Sequence, residues 1–330
     1  MTIRKYGLTS LAAAFFASVL APAPAKAQLW TWTKDQMVEY TKAWTGDRLP
    51  DGRPKVPDAL LERAKGLSME EITMNWGAAG ATINAAAAGG GRGGGGGAAG
   101  GGYSQYVGDW QVLHPGTHMA GRAFTMVFMP GRPDLDAVVN SKLQAQGVRA
   151  PINNQYAFDM LQPGDVLVVD LFGRKEGGTI VGDNLFYYIM KTTKSGGLVV
   201  DGSFRDLDGI AEMAMPCYYK SVHPSALTPQ TATLAGINVP IRIGNVTVMP
   251  GDLVMGDKEG VSFVPPQLAQ GIIDRADETH IHDEWTRKKF DEGKYKSSEI
   301  YSSPRDPALI QEYKDYLAKR LAEIKAQQPK

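Results

Sequence analysis

The sequence predicts an α/β domain built on a mixed sheet, and three observations carry that prediction. From Tyr103 onward, short apolar runs bounded by turn formers alternate with segments of helical period. One of the runs, Val166 to Asp170, is so apolar that it reads as a strand buried on both faces. Pro240 to Met249 (PIRIGNVTVM) reads as a hairpin around Gly244-Asn245, which adds antiparallel pairing to the sheet.

Taken in order, the chain opens on a targeting signal. Arg4 and Lys5 form a basic start, Leu8 to Leu20 an apolar stretch, and Ala25-Lys26-Ala27 an A-x-A cleavage site. The apolar stretch is short for a transmembrane span. The expectation is cleavage after Ala27 and a periplasmic or secreted chain with no membrane span. Residues 28–104 form an N-terminal arm. Trp30, Trp32 and Trp44 sit among charges, turn formers fill Gly46 to Pro57, and Pro57-Asp58 starts a helical pattern with Leu60, Leu61 and Ala64 on one face. A second short helix is expected from Ser68 to Trp76, with Ser68 as its cap and Glu71 three residues on. Tryptophans in a polar arm predict packing against the core or a neighbouring subunit. The Ala/Gly tract Gly77 to Gly102 lacks both a Gly-Lys-Ser/Thr ending and a preceding strand, so it reads as a surface loop and not a phosphate loop.

The core is expected over residues 105–275. Its strands are Ala123 to Met129, Val166 to Asp170, a run ending at Val181, Gly197 to Asp201, Pro216 to Lys220, the hairpin, Leu253 to Met255 and Gly260 to Val264. Asp134 to Gln146 is an amphipathic helix ended by Gly147. Residues 276–330 read as a charged helical tail. Lys plus Arg number 35 and Asp plus Glu 35. That zero net charge argues against nucleic-acid binding through a global basic field. The single cysteine, Cys217, is expected to be a buried strand residue; it cannot form an internal disulfide.

The chemistry-bearing stretch is Thr179 to Ile210. Gly182-Asp183-Asn184 opens a helix whose first amides can seat a carboxylate or phosphate. The strand through Asp201 delivers the adjacent pair Arg205-Asp206 to the same sheet edge, where α/β folds build sites. Arg205 can clamp a carboxylate through two hydrogen bonds. Asp206, with Asp183, can hold a hard divalent cation. The competing reading is a structural Arg–Asp ion pair with Asp183 as a helix cap. His114, His118 and His223 could gather into a second metal site, and His223 and Thr228 could line the same cleft.

Several motifs in order resemble the RraA-like family, which includes 4-hydroxy-4-methyl-2-oxoglutarate aldolases, oxaloacetate decarboxylases and regulators of ribonuclease activity. They are Pro163 to Asp170 (PGDVLVVD), Gly182-Asp183-Asn184-Leu185, Gly197 to Gly202, Arg205 to Ile210 (RDLDGI), Gly244 to Asp252 and Asp257 to Val261. The resemblance covers roughly residues 105 to 270. It implies a swivelling β/β/α domain assembling as a homotrimer or hexamer. It also implies a lyase using Mg2+ or Mn2+, an aldolase or decarboxylase that releases pyruvate from a small 2-oxo dicarboxylic acid. Carried over, Arg205 binds the pyruvyl carboxylate, Asp206 the metal, and amides near Leu185 and Phe186 assist beside Gly182. Asp183 or Asn184 orients a water for proton transfer.

Three departures accompany the resemblance. The aldolases place twenty residues between an aspartate and Arg-Asp; here that count falls on Asn184, with Asp183 one residue earlier. One inserted residue in the Thr192 to Gly197 loop would restore Asp183. The family's glutamate from a neighbouring subunit has candidates in Asp283 and Glu284, beside His280 and His282, although a solvated charged helix also explains them. The signal, arm, glycine tract and tail lie outside the family core. A metal on the 2-oxo acid makes a Schiff-base lysine unnecessary, and nothing marks Lys175, Lys191 or Lys194 as buried. The remaining alternatives are a non-catalytic binding or regulatory protein and another metal-dependent enzyme reusing the cleft.

Overall fold

The computed structural model describes residues 31–76, 105–145, 147, 153–194, 196–301 and 304–327. The expected signal segment and the glycine tract therefore lie outside the described residues. Ten helices are described: α1 Lys34–Tyr40, α2 Asp58–Ala64, α3 Met69–Met74, α4 Pro133–Ala145, α5 Asn153–Phe158, α6 Asp183–Thr193, α7 Leu207–Ile210, α8 Pro266–Asp291, α9 Ser297–Ile300 and α10 Pro307–Gln327. None of them is long and apolar enough to cross a membrane.

The expected mixed sheet is present. Strands β1 Tyr106–Val107, β2 Gln111–Val112, β3 Met119–Pro130, β4 Asp165–Arg174, β5 Gly197–Phe204, β6 Cys217–Val222, β10 Leu253–Asp257 and β11 Gly260–Val264 lie in the order β1-β11-β10-β3-β4-β5-β6-β2. The ninth strand, β7 Ala232–Ile237, pairs with β3. Strands β3 to β6 run parallel, and β10 and β7 pair antiparallel with the two ends of the long β3. The predicted hairpin forms, as β8 Ile241–Ile243 and β9 Val246–Val248, but in a separate two-stranded sheet, so it adds no pairing to the main one.

Val166 to Val169 are fully buried, as an apolar run between covered faces requires; each contributes about 1.5–3 kcal/mol of burial. Cys217 is a buried residue of β6, and burial pushes its thiol well up. One expected strand is absent. Thr179 makes a single bridge to Ala226, and the segment before α6 is otherwise irregular. Its backbone is held by a loop partner: the Thr179 amide donates to Ser225, and Leu227 donates back to Thr179.

The arm packs on the core. Val56, Leu60, Leu61, Leu67, Ile72 and Trp76 share a buried cluster with residues of β10, β11 and α8. Helix α3 carries the expected Ser68–Glu71 capping box. Arg53, in the turn-rich stretch, is 0% exposed and forms a two-pronged ion pair with Asp165 at 2.9 and 3.0 Å. Its Nη1 also donates to the Ala123 carbonyl, and its Nε to Asp51. The sequence signalled no such joint. Helix α8 runs unbroken through positions 275 and 276, so the expected start of the tail falls inside it.

Candidate functional site

The site lies where β5 ends. Phe204 closes that strand, Arg205 and Asp206 follow, and α7 begins at Leu207. Asp206 caps α7 in the left-handed region, φ 59°, a conformation that costs a non-glycine residue about 1–2 kcal/mol. The bend leaves its carboxylate facing the start of α6, where the Asp183 amide donates to Asp206 Oδ2 at 3.4 Å. Arg205 Nη1 stands at 3.4 Å from the same oxygen.

Gly182, the N-cap of α6, is what allows this closeness. A Cβ there would sit 2.5 Å from Arg205 Nη2 and 2.5 Å from Asp206 Oδ2. The strand end and the helix start therefore meet over a residue without a side chain.

The Arg205–Asp206 pair is not saturated. The side chains are 27% and 33% exposed. Arg205 Nε is buried with no hydrogen-bond partner among the described residues. A buried guanidinium N–H without an acceptor is costly unless a ligand supplies one. Arg205 also lines a cavity of about 250 Å³, shared with Phe128, Asp136, Asn140, Leu185 and Thr228. Asp136 is 5% exposed; burial pushes its carboxyl up, partly offset by a hydrogen bond from Asn140 at 2.8 Å. Asn140 Oδ1 is buried without a partner. The sequence reading missed Asp136 and Asn140. The available signal was their i, i+4 spacing on α4.

The remaining sequence-selected residues divide clearly. Asp183 is half-buried at the start of α6 beside the Arg205–Asp206 turn. A Cβ placed on Gly209 of α7 would lie 3.3 Å from Asp183 Oδ2, so that carboxylate sits over α7. Asn184 is exposed, and its amide is taken by Asp183 Oδ1 at 2.7 Å. In space, Asp183 adjoins Asp206 through its amide, and Asn184 is turned to the outside. Of the two helix-start amides, Phe186 is corrected. Its N–H makes the first intrahelical bond, to Gly182 at 2.9 Å, and its ring is buried in the core. An N-cap at Gly182 leaves only the amides of Asp183, Asn184 and Leu185 outside the helix ladder. Asp183 and Asn184 are engaged as above, which leaves Leu185.

The histidines do not gather. His114 meets the Met213 carbonyl and His118 the Lys65 carbonyl. His223 bonds to Ser225 and is not among the cavity's lining residues, whereas Thr228 is. His280 pairs with Glu71 at 2.7 Å. Glu284 accepts hydrogen bonds from Tyr316 and Arg320 of α10, which hold its carboxyl below the usual range. Within this chain, Glu284 therefore ties α8 to α10 and stands apart from the Arg205 cavity. Lys175, Lys191 and Lys194 are exposed.

Among the described residues no group of three or more His, Cys, Asp or Glu converges on one point. That excludes a closed all-protein metal cage from these residues. A magnesium-like ion, by contrast, keeps several waters and needs only one or two carboxylates. Asp206 is one such carboxylate, partly exposed, with Asp183 beside it.

A family profile described as RraA-like, Aldolase/RraA, matches residues 98–262. The chain belongs to the RraA-like family. A relative from Halalkalibacterium halodurans, provisionally named a 4-hydroxy-4-methyl-2-oxoglutarate aldolase, is 30% identical over 122 residues, covering 37% of this chain and 56% of its own. One of the same provisional name from Ectopseudomonas mendocina is 33% identical over 113 residues, covering 34% and 66%. The matches thus span less than two thirds of these relatives. Among solved structures, Streptomyces coelicolor RraAS2, described as an unusual member of the RNase ES inhibitor RraA family, aligns with TM-score 0.52 and 26% identity over 71% of this chain and 98% of its own. A Pseudomonas syringae protein shares the fold, with TM-score 0.54 and 20% identity over 76% and 96%.

Proposed function

We propose that this RraA-like protein is a divalent-metal-dependent carbon–carbon lyase that cleaves a small 2-oxo acid and releases pyruvate. The observation that carries the reading is the Arg205–Asp206 turn packed over Gly182, with a partly exposed guanidinium that lines a small cavity. Arg205 holds the substrate carboxylate, assisted by the Leu185 amide. Asp206 would hold Mg2+ or Mn2+, and Asp183 positions a water next to it. When bound, such an ion supplies the Lewis acidity that stabilises negative charge on the 2-oxo oxygen. In aldol cleavage the hydroxyl proton passes to the water that Asp183 positions, the carbinol carbon leaves as a carbonyl compound, and the C–C bond between it and the pyruvyl unit breaks. Its electron pair passes into the pyruvate enolate, which is then protonated at carbon. Decarboxylation leaves the same enolate with loss of CO2. The dicarboxylic substrates implied by the resemblance, 4-hydroxy-4-methyl-2-oxoglutarate and oxaloacetate, belong to this class.

The similarity to RraAS2 favours a second reading, a binding or regulatory protein that keeps the fold without turnover. Pyruvate release measured with Mg2+ or Mn2+, with and without EDTA, separates the two. Metal-dependent release that vanishes in Arg205→Ala and Asp206→Ala supports the lyase. No turnover in a folded protein that binds the metal supports the binding role. The signal-like N-terminus supports export to the periplasm or beyond, and we propose a homotrimer or hexamer as the working assembly; cell fractionation and sedimentation test these two points.

A further inference from the structure

We propose that Ser203 and Asn154 are positioning residues of the site. Their hydrogen bonds to the loop 177–182 hold Gly182, and with it the start of α6, against the Arg205–Asp206 turn. The inference rests on the lyase reading above, which assigns Arg205 and Asp206 their roles.

The loop has one bridge and no strand of its own, so its place over the turn depends on outside partners. Gly177 and Gly178 bend it through the left-handed region, at φ 74° and 119°. A Cβ on Gly178 would lie 2.8 Å from the Ala226 carbonyl oxygen, so the loop runs close against residues 225–227. Thr179 exchanges two backbone hydrogen bonds with that segment, each at 3.0 Å. Two side chains hold the loop from other directions. Ser203 Oγ, on a residue 0% exposed, donates to the Gly178 carbonyl at 3.0 Å. Ser203 belongs to β5 and stands two residues before Arg205, so this bond fixes the loop to the strand that presents the guanidinium. From α5, Asn154 Nδ2 donates to the Ile180 carbonyl at 3.0 Å, two residues before Gly182.

The site tolerates little slack in this loop. Moved inward, Gly182 runs into Arg205 Nη2 and Asp206 Oδ2, which leave no room even for a methyl group. Moved outward, the Asp183 amide loses Asp206 Oδ2, because 3.4 Å is already the long end of the hydrogen-bond range. That amide is the outer partner of the carboxylate assigned to the metal, and such partners orient a ligating oxygen. Misplacement of reacting groups by about 1 Å can cost on the order of 10²-fold in rate.

The test uses the full chain and two readouts, with thermal unfolding followed on the same preparations. The first is pyruvate release from 4-hydroxy-4-methyl-2-oxoglutarate with Mg2+. Ser203→Ala is expected to lower kcat about tenfold, with KM changed less, and Ser203→Thr, which keeps the hydroxyl, to recover most of the loss. Asn154→Leu changes a half-buried residue; it is expected to lower kcat in the same way and serves if Ser203→Ala does not fold. The second readout is Mn2+ binding without substrate, followed by the electron paramagnetic resonance signal of the free ion. The Mn2+ Kd is expected to rise about tenfold in Ser203→Ala and Asn154→Leu. Variants that melt lower yet keep wild-type kcat and Mn2+ affinity place both residues in folding alone; that overturns this inference and leaves the lyase reading standing. A wild-type protein that releases no pyruvate overturns the lyase reading. The positioning role then stands if Mn2+ binding weakens in the variants, and is overturned if it does not.

Discussion

Two arginine–aspartate pairs in this molecule use the same side chains to opposite ends. Arg53 and Asp165 are both 0% exposed at the side chain. Their two parallel contacts are 2.9 and 3.0 Å, and the Gln162 amide also donates to Asp165. Each nitrogen of that guanidinium has an acceptor, and its face lies 5.1 Å from the Phe124 ring centre. Arg205 and Asp206 are neighbours in the chain, yet they approach only to 3.4 Å, stay partly exposed and leave a buried Nε unmet. A pair that exists to hold the fold together is saturated. A pair that stays partly exposed beside a cavity is free to meet a ligand, and the proposed role of Arg205 rests on this contrast.

Substitutions can sharpen the contrast, beginning with the largest effect. Arg53→Met leaves Asp165 buried without its cation, so stability measured by urea unfolding is expected to fall by about 3–5 kcal/mol. A loss below 1 kcal/mol would show the pair to be dispensable. Asp252 supplies the case of a buried acid with no arginine. It is 2% exposed, accepts only the Met249 amide among the described residues, and burial raises its carboxyl to about 7. Because the folded value lies above the unfolded one, this group's contribution to stability is fully present below about pH 4 and is lost as pH rises toward 7. Asp252→Asn should therefore gain roughly 1–3 kcal/mol at pH 8 and much less at pH 5. An equal change at both pH values would refute the assignment. The smallest effect concerns the close approach at the site. In Gly182→Ala the backbone, at φ −110°, accepts a side chain without strain. The added methyl displaces Arg205 and Asp206, so kcat/KM should drop about tenfold, ~1.4 kcal/mol, with the melting temperature within a few degrees of wild type. A large melting change with unaltered kinetics would place the glycine's role in folding.

How much of this was legible in the sequence follows from where each signal is stored. Val166 to Asp170, Gly197 to Asp201 and the Gly244-Asn245 hairpin carry their pairing in local apolar runs and turn residues, and all three form. Strand β7, Ala232 to Ile237, was not anticipated, because its small residues and Gly236 give a weak strand pattern and its partner is the far end of β3. Thr179 to Val181 looked like a strand and makes only one bridge, since its partners lie in the loop around Ser225 to Leu227. Arg205-Asp206 was visible through adjacency and motif order. The Arg53–Asp165 joint spans 112 positions and leaves no local trace. Asp136 and Asn140 look like the polar face of an amphipathic helix, yet Asp136 is buried while Val138 beside it is 49% exposed. The placement of Asp183 and Asn184 required the backbone: α6 begins at Asp183, whose amide meets Asp206, and Asn184 lies exposed.

The most direct test of the open-pair account is to make Arg205→Met and measure Mg2+-dependent pyruvate release and thermal unfolding on the same preparation. The account predicts that kcat/KM falls by about 10²–10³, while stability changes by no more than about 1 kcal/mol. Full activity in the variant, or its unfolding on the scale expected for Arg53→Met, would show that Arg205 is a second structural arginine and would contradict the account.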